Sequence, residues 1–304
     1  MIQSLQAEIR RNSGSEAVFD YEEAFKRNRG LISESEQEIL RNTTVAIPGL
    51  GGVGASHAVA LARSGVGRFI LADFDEYELA NFNRQMSATI RRIGMSKAEA
   101  VREDILNINP DIHVTVWKKA ITEENVCRFL EHADILLDGV DIFSMKTRRA
   151  LFNEAEKRGI HAITAGPLGF SCGMVHFAPG SMGFDRYFDI HDGLDEREMA
   201  ARFAVGLAPR HSHSSYMDFN EVDMKKRTGP SLGLACMLCS SIAASETIKS
   251  VIGRGRILPA PHYMQIDLYK LKMYAGKLRF GGRGLLQRLK RYVLKRALRK
   301  LKGE

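Results

Sequence analysis

The stretch Thr44-Val45-Ala46-Ile47-Pro48-Gly49-Leu50-Gly51-Gly52-Val53-Gly54 restricts the fold more than any other part of the chain. A short β-branched run enters a glycine-rich turn, and the helix formers of residues 57–63 follow at once. Gly49, Gly51 and Gly54 satisfy G-x-G-x-x-G, with Gly52 as a further glycine between them. Strand, glycine turn and helix open a mononucleotide-binding unit. The glycines let the backbone turn tightly and approach a phosphate lying at the positive end of the helix. Alone, the pattern serves NAD, FAD and ATP sites equally.

The same alternation continues downstream. Residues 68–72 read as a strand ending at Asp73, 97–106 as a helix, and 113–117 as a strand. Residues 123–131 read as a helix, 135–137 as a buried strand ending at Asp138, 143–158 as a helix and 160–164 as a strand. This predicts an α/β fold: a Rossmann-like, mostly parallel sheet with helices on both faces. After Pro167 the pattern changes to a possible strand at 172–177 and a long polar crossover loop at 181–228. A helix at 231–252 and two strands at 263–267 and 271–274 form a C-terminal antiparallel extension. Three divisions follow: an N-terminal helical segment (1–43) with a capping box at Ser33 and Glu36, a nucleotide-binding domain (44–280) and a tail helix (281–304).

The net charge of +8 is concentrated in that tail. Residues 277–304 hold 11 Lys/Arg and one acid, leaving 33 basic and 35 acidic residues in 1–276, a body of net −2. A uniformly basic nucleic-acid-binding domain is thereby disfavoured. Leu285, Leu286, Leu289, Tyr292, Val293, Leu294, Ala297, Leu298 and Leu301 recur mostly three or four apart, giving one apolar and one basic helical face. Such a helix suits an anionic membrane surface, RNA, an acidic partner, or packing on its own body. Four cysteines in 304 residues form no disulfide framework, which points to a reducing cytoplasm. No signal peptide or transmembrane segment is expected.

The residues after the glycine turn favour phosphate chemistry. Asp73 lies 19 positions beyond Gly54, where a carboxylate can hold ribose hydroxyls. Asp75, Asn81, Asn83, Arg84 and Gln85 follow, then Lys97. Hydride transfer uncovers no phosphate charge and leaves an Arg and a Lys here unexplained, which argues against an NAD-dependent oxidoreductase. Expulsion of pyrophosphate needs both a guanidinium fork and an ammonium. Asp138 and Asp141 follow an apolar strand, where a carboxylate can hold magnesium. Blander readings stand beside these: Asp138 as a strand-end residue, the asparagines and Gln85 as turn formers, and His211 and His213 as exposed loop histidines. Cys236 and Cys239 read as packed core thiols.

In GLGGVG, ADFDEYELANFNRQ, IGMSKAE, ILLDGVD and IHAITAGPLGF, spread over roughly residues 25–275, the chain resembles the ThiF/MoeB adenylyltransferases, relatives of ubiquitin-activating enzymes. The resemblance implies ATP–magnesium binding and attack of a carboxylate on the α-phosphate, giving an acyl-adenylate and pyrophosphate. It implies phosphate contacts from Gly49, Gly51, Gly52 and Gly54, ribose contacts from Asp73, and triphosphate contacts from Asn81, Arg84 and Lys97. Asp141 matches the magnesium-associated aspartate, and Asp75 and Gln85 complete the motif. A homodimer is implied, with an N-terminal arginine, Arg27 or Arg29 and by preference Arg27, crossing to the partner's ATP. The chain departs from sulfur-carrier-activating members in having one C-x-x-C pair, Cys236 and Cys239, so no zinc is expected. The crossover loop carries no cysteine, and only Cys172 precedes it. A non-catalytic ATP-binding scaffold is the competing reading. The wording NRQ…IG…KAE is closest to the tRNA threonylcarbamoyladenosine dehydratase branch, while other relatives activate peptides. The carboxylate is therefore expected on a small carrier protein, a peptide or a tRNA.

Overall fold

A computed structural model describes residues 18–223 and 228–300, and the side chains of 295 and 297–300 are not part of that description. The chain enters through α1 (Tyr21–Phe25) and α2 (Glu34–Asn42). Ser33 caps α2: its hydroxyl accepts from Glu36 N (3.2 Å) and the Glu36 carboxylate accepts from Ser33 N (2.8 Å), the capping box read from the sequence. Residues 1–17 of the predicted N-terminal segment lie outside the described residues.

The nucleotide-binding unit follows as β1 (Thr44–Pro48), α3 (Gly52–Arg63), β2 (Arg68–Ala72), α4 (Lys97–Ile108) and β3 (His113–Trp117). Next come the single turn α5 (Val126–Phe129), β4 (Ile135–Asp138), α6 (Met145–Arg158), β5 (His161–Leu168) and β6 (Ser171–Phe177). The remainder is α7 (Phe184–Phe188), α8 (Glu196–Leu207), α9 (Gly233–Ile252), β7 (His262–Asp267), β8 (Lys272–Lys277) and α10 (Leu285–Lys300). All eight strands form one sheet in the order β3-β2-β1-β4-β5-β6-β7-β8. The first five are parallel, and β6, β7 and β8 join as antiparallel neighbours, as the sequence predicted.

Alternate residues of each central strand feed two cores. Val45 and Ile47 pack with α3, α4 and α9, while Ala46 and Leu136 face the side covered by α5 to α8. A parallel strand covered on both faces must be apolar along its whole length, which is why 135–137 reads ILL. By length and composition α9 could cross a bilayer. In this fold it is a core helix, its Cys239, Ala243 and Thr247 buried beside the sheet and α3.

The described residues of 181–228 do not form the long polar loop expected. Phe184, Tyr187, Phe188 and Phe203 stack with Phe152 and Phe177 in an aromatic cluster that folds α7 and α8 onto the sheet. Asp195 caps α8 by accepting from Glu198 N (2.7 Å). The aromatics are scattered among polar residues, so no helical period announces them. Burial against distant elements makes these helices.

Candidate functional site

The strand order turns back at β1, which has β2 on one side and β4 on the other. The loops leaving the carboxyl ends of β1 and β4 border a cleft of about 1180 Å³, the position where open parallel sheets bind ligands. Gly49 is left-handed (φ +81°), and a Cβ there would lie 2.3 Å from Gly139 O. A Cβ on Gly54 would lie 1.8 Å from Gly49 O, and one on Gly139 2.0 Å from the same oxygen. Any side chain at these three positions collides with backbone. Gly51 differs, since the nearest atom to a Cβ there is Gln85 Nε2 at 3.7 Å, so this glycine leaves its space to the cleft. A Cβ on Gly52 would come within 2.8 Å of Cys236 Sγ.

Asp73, buried at the end of β2, ties the glycine turn down: one oxygen accepts from Leu50 N (2.6 Å), the other from Asp75 N (2.8 Å). Burial pushes its carboxyl above the usual range, against these two donors and nearby Lys97. Lys97 opens α4 with its side chain buried and its Nζ 3.0 Å from Asp75 Oδ2, a half-exposed carboxylate. Among the described residues Arg84 donates only to neutral acceptors, Ala80 O (2.9 Å) and Asn83 Oδ1 (3.0 Å), although it lines the cleft. Gln85 also lines it, 6% exposed, with Oε1 lacking a hydrogen-bond partner among the described residues. A buried amide oxygen without a donor costs roughly 1–3 kcal/mol, so this position favours a ligand that brings one. Asn81 is placed elsewhere: its Oδ1 caps a 3-10 turn by accepting from Glu78 N (3.0 Å), and Asn83 reaches the cleft instead.

The two aspartates after β4 have opposite environments. Asp138 is 3% exposed, accepts from Val140 N (3.0 Å) and pairs with Arg148 Nε (2.7 Å). Arg148 also donates to the carbonyls of Val140 and Asp141 and lies 4.4 Å over the Phe203 ring. It therefore clamps the loop that presents Asp141. Asp141 itself is exposed, lines the cleft and commits Oδ1 to Phe143 N (2.8 Å). Sequence reasoning missed Arg148, which looks like one more basic residue on a helix. Its only local signal is a position ten residues after Asp138. Arg27 is exposed beyond α1 and does not line the cleft.

The far end of the cleft is built by the crossover region. His211 and His213 line it, and they are not exposed loop residues. His213 is 6% exposed with Nδ1 unpartnered among the described residues, and burial, with smaller contributions from His211 and Lys270 and against Asp267, drives its pKa down to about 4. His211 Nε2 is likewise unpartnered, and burial and Lys290 lower its pKa. A hydrogen bond from Gln265 Nε2 to Ser212 Oγ (2.7 Å) draws this turn inward from 53 positions away. Among the described residues no three of His, Cys, Asp and Glu are grouped to hold a metal ion.

Known proteins resemble this chain in sequence and in fold. The tRNA threonylcarbamoyladenosine dehydratase of Bacillus subtilis is 39% identical over 142 residues, 46% of this chain and 55% of that protein. The Escherichia coli sulfur carrier protein ThiS adenylyltransferase is 33% identical over 148 residues, 49% of this chain and 58% of its own. The chain thus spans about half the length of the curated relatives it matches. Among solved structures, PaaA superposes with a TM-score of 0.66 at 19% identity, covering 91% of this chain and 92% of that one. Escherichia coli MccB solved with ATP gives 0.60 at 21% identity, over 81% and 66%. These likenesses establish the shared fold. The description of the ThiF family matches residues 25–280, from the first helices to the start of the tail. The chain belongs to the ThiF family.

Proposed function

We propose that this chain is an ATP-dependent adenylyltransferase that activates a carboxylate. The observation that carries this reading is the Arg84 guanidinium, bonded among the described residues only to neutral oxygens beside the glycine turn, in a cleft that also holds buried Lys97. Such a pair stabilises the charge that gathers on the β- and γ-phosphates as pyrophosphate leaves. The glycine-loop amides at the start of α3 face the phosphates, Asp73 holds the ribose through its remaining lone pairs, and the orphan Gln85 Oε1 accepts from the nucleotide. A substrate carboxylate oxygen bonds to the α-phosphorus while the bond to the bridging oxygen breaks.

Asp141 fits magnesium: it is an exposed hard-oxygen ligand with one oxygen uncommitted to Phe143, whereas Asp138 has both oxygens engaged. Magnesium bound there would neutralise phosphate charge. A homodimer in which Arg27 reaches the partner's nucleotide is part of this reading, supported by the exposure of Arg27 away from its own cleft. So are a cytoplasmic location, consistent with the four free thiols, and an anionic partner for the tail. The acceptor carboxylate, on a tRNA, a peptide or a carrier protein, would occupy the histidine end of the cleft.

Exchange of labelled pyrophosphate into ATP tests the assignment. It is expected only with a carboxylate substrate present, and Arg84→Ala or Lys97→Ala should lower it by roughly 10²–10³-fold with melting behaviour unchanged. ATP binding without exchange across tRNA, peptide and carrier proteins would favour the scaffold reading.

A further inference from the structure

The tail helix α10 is packed inside out. Gln287 and Arg291 are buried at 3% and 8% exposure. Arg291 donates to Gly282 O (2.9 Å) and pairs with Asp189 (3.0 Å), a carboxylate that also receives Arg202 and Arg283. Lys290 donates to Pro209 O, and Leu294 lines the cleft. The opposite side carries Leu285, Leu286, Leu289, Tyr292 and Val293, between 58% and 82% exposed. Positions 285, 289 and 292, with 286 and 293 alongside, share one helical face, while 287, 291 and 294 share the other. A surface helix ordinarily turns its apolar stripe to the core. Here the polar side is fixed to the body by charged groups, so the apolar stripe is held outward. Leu301 and the side chains of Ala297 and Leu298 lie outside the described residues.

Charge decides what fits that stripe. Arg288 and Arg296 are exposed beside it, in a segment with 11 basic residues and one acid. Symmetric pairing with a second copy would bring these like charges together. Nucleic acid would take the cations but gives the leucines nothing to enter, and Tyr292 is the single aromatic ring on α10 for stacking. A bilayer with anionic headgroups receives both sets. We propose that α10 docks the chain on an anionic lipid surface, its leucines in the interface and Arg288 and Arg296 at headgroup phosphates. Because Leu294 lines the cleft, the docked face and the cleft wall are two sides of one helix. The inference is independent of the adenylation reading.

Co-sedimentation of the full chain with vesicles of phosphatidylglycerol and phosphatidylcholine, against phosphatidylcholine alone, tests it. Binding is expected to the anionic vesicles only. Arg288→Gln with Arg296→Gln should weaken it roughly 30-fold, at about one kcal/mol per basic residue near the surface. Leu286→Ser, Leu289→Ser and Val293→Ser together should abolish it, with the thermal melt unchanged. The proposal is overturned if the chain ignores anionic vesicles, or if the triple substitution leaves binding intact, since charge alone would then suffice. It is also overturned if that substitution converts a dimer to a monomer without lipid, which would assign the face to a second copy.

Discussion

The two ends of the cleft solve different electrostatic problems. At the phosphate end, Lys97 and Arg84 hold cationic charge close to the glycine turn, and Gln85 presents an unpaired acceptor. At the crossover end burial keeps His211 and His213 neutral, beside a charged set of Asp195, Arg197 and Glu198 that also lines the cleft. One end is preorganised for a polyanion. The other adds uncharged ring nitrogens that can accept or donate a proton. The cleft thus sets a cationic pair beside the glycine turn apart from two neutral imidazoles in the crossover region, each held by a different part of the chain.

Arg148→Ala should give the largest effect, because it leaves Asp138 buried without its cation and frees the loop that carries Asp141. Breaking a buried pair from one side costs about 3–5 kcal/mol, readable in denaturant unfolding. A cost below about 1 kcal/mol would show that the clamp is dispensable. Arg84→Ala comes next: pyrophosphate exchange should fall by roughly 10²–10³-fold with stability retained, as when one preorganised donor to developing charge is removed. If His213→Ala lowered exchange as much as Arg84→Ala, the separation between the two ends would fail.

Acid should then act through the crossover end. The folded-state pKa of His213 is depressed from 6.5 to about 4, so below 6.5 the unfolded chain binds a proton that the folded chain refuses. Stability is therefore full above pH 6.5 and falls as pH drops towards 4, by on the order of 3 kcal/mol from this group. Fully buried His57, lowered to about 3, extends the loss to lower pH. Urea midpoints measured across that range should show the slope, and His213→Gln should flatten its upper part. The smallest effect expected is a rise in the KM for the carboxylate substrate of about tenfold in His213→Ala, with the KM for ATP unchanged.

The phosphate end was legible in the sequence because its geometry is local. A β-branched run, a glycine turn and a helix are contiguous, and Asp73 and Lys97 begin or end elements that the hydrophobic pattern marks. Asn81 shows the limit even there. It and Asn83 are indistinguishable in the motif, and the 3-10 turn sends the first into a cap and the second to the cleft. The crossover end was not legible, because its burial is made over distance: Gln265 holds Ser212, and Phe203 meets Arg148 across 55 positions. Nor does a pattern of leucines three or four apart say which side of α10 faces outward. Asp189, about a hundred residues upstream, settles that.

Gly49 and Gly139 come from loops 90 residues apart, and neither tolerates a side chain because each meets the other's backbone. Their meeting depends on β1 and β4 pairing in register, Val45 beside Ile135 and Ala46 beside Leu136. A slip of one residue would move a strand's side chains to the wrong face and part the two glycines. The nucleotide pocket is therefore assembled only when the centre of the sheet has closed, so a chain with β1 and β4 unpaired has no pocket for ATP. Nucleotide binding during refolding would report the joining of the two halves of the sheet, not the formation of the first strand–turn–helix unit.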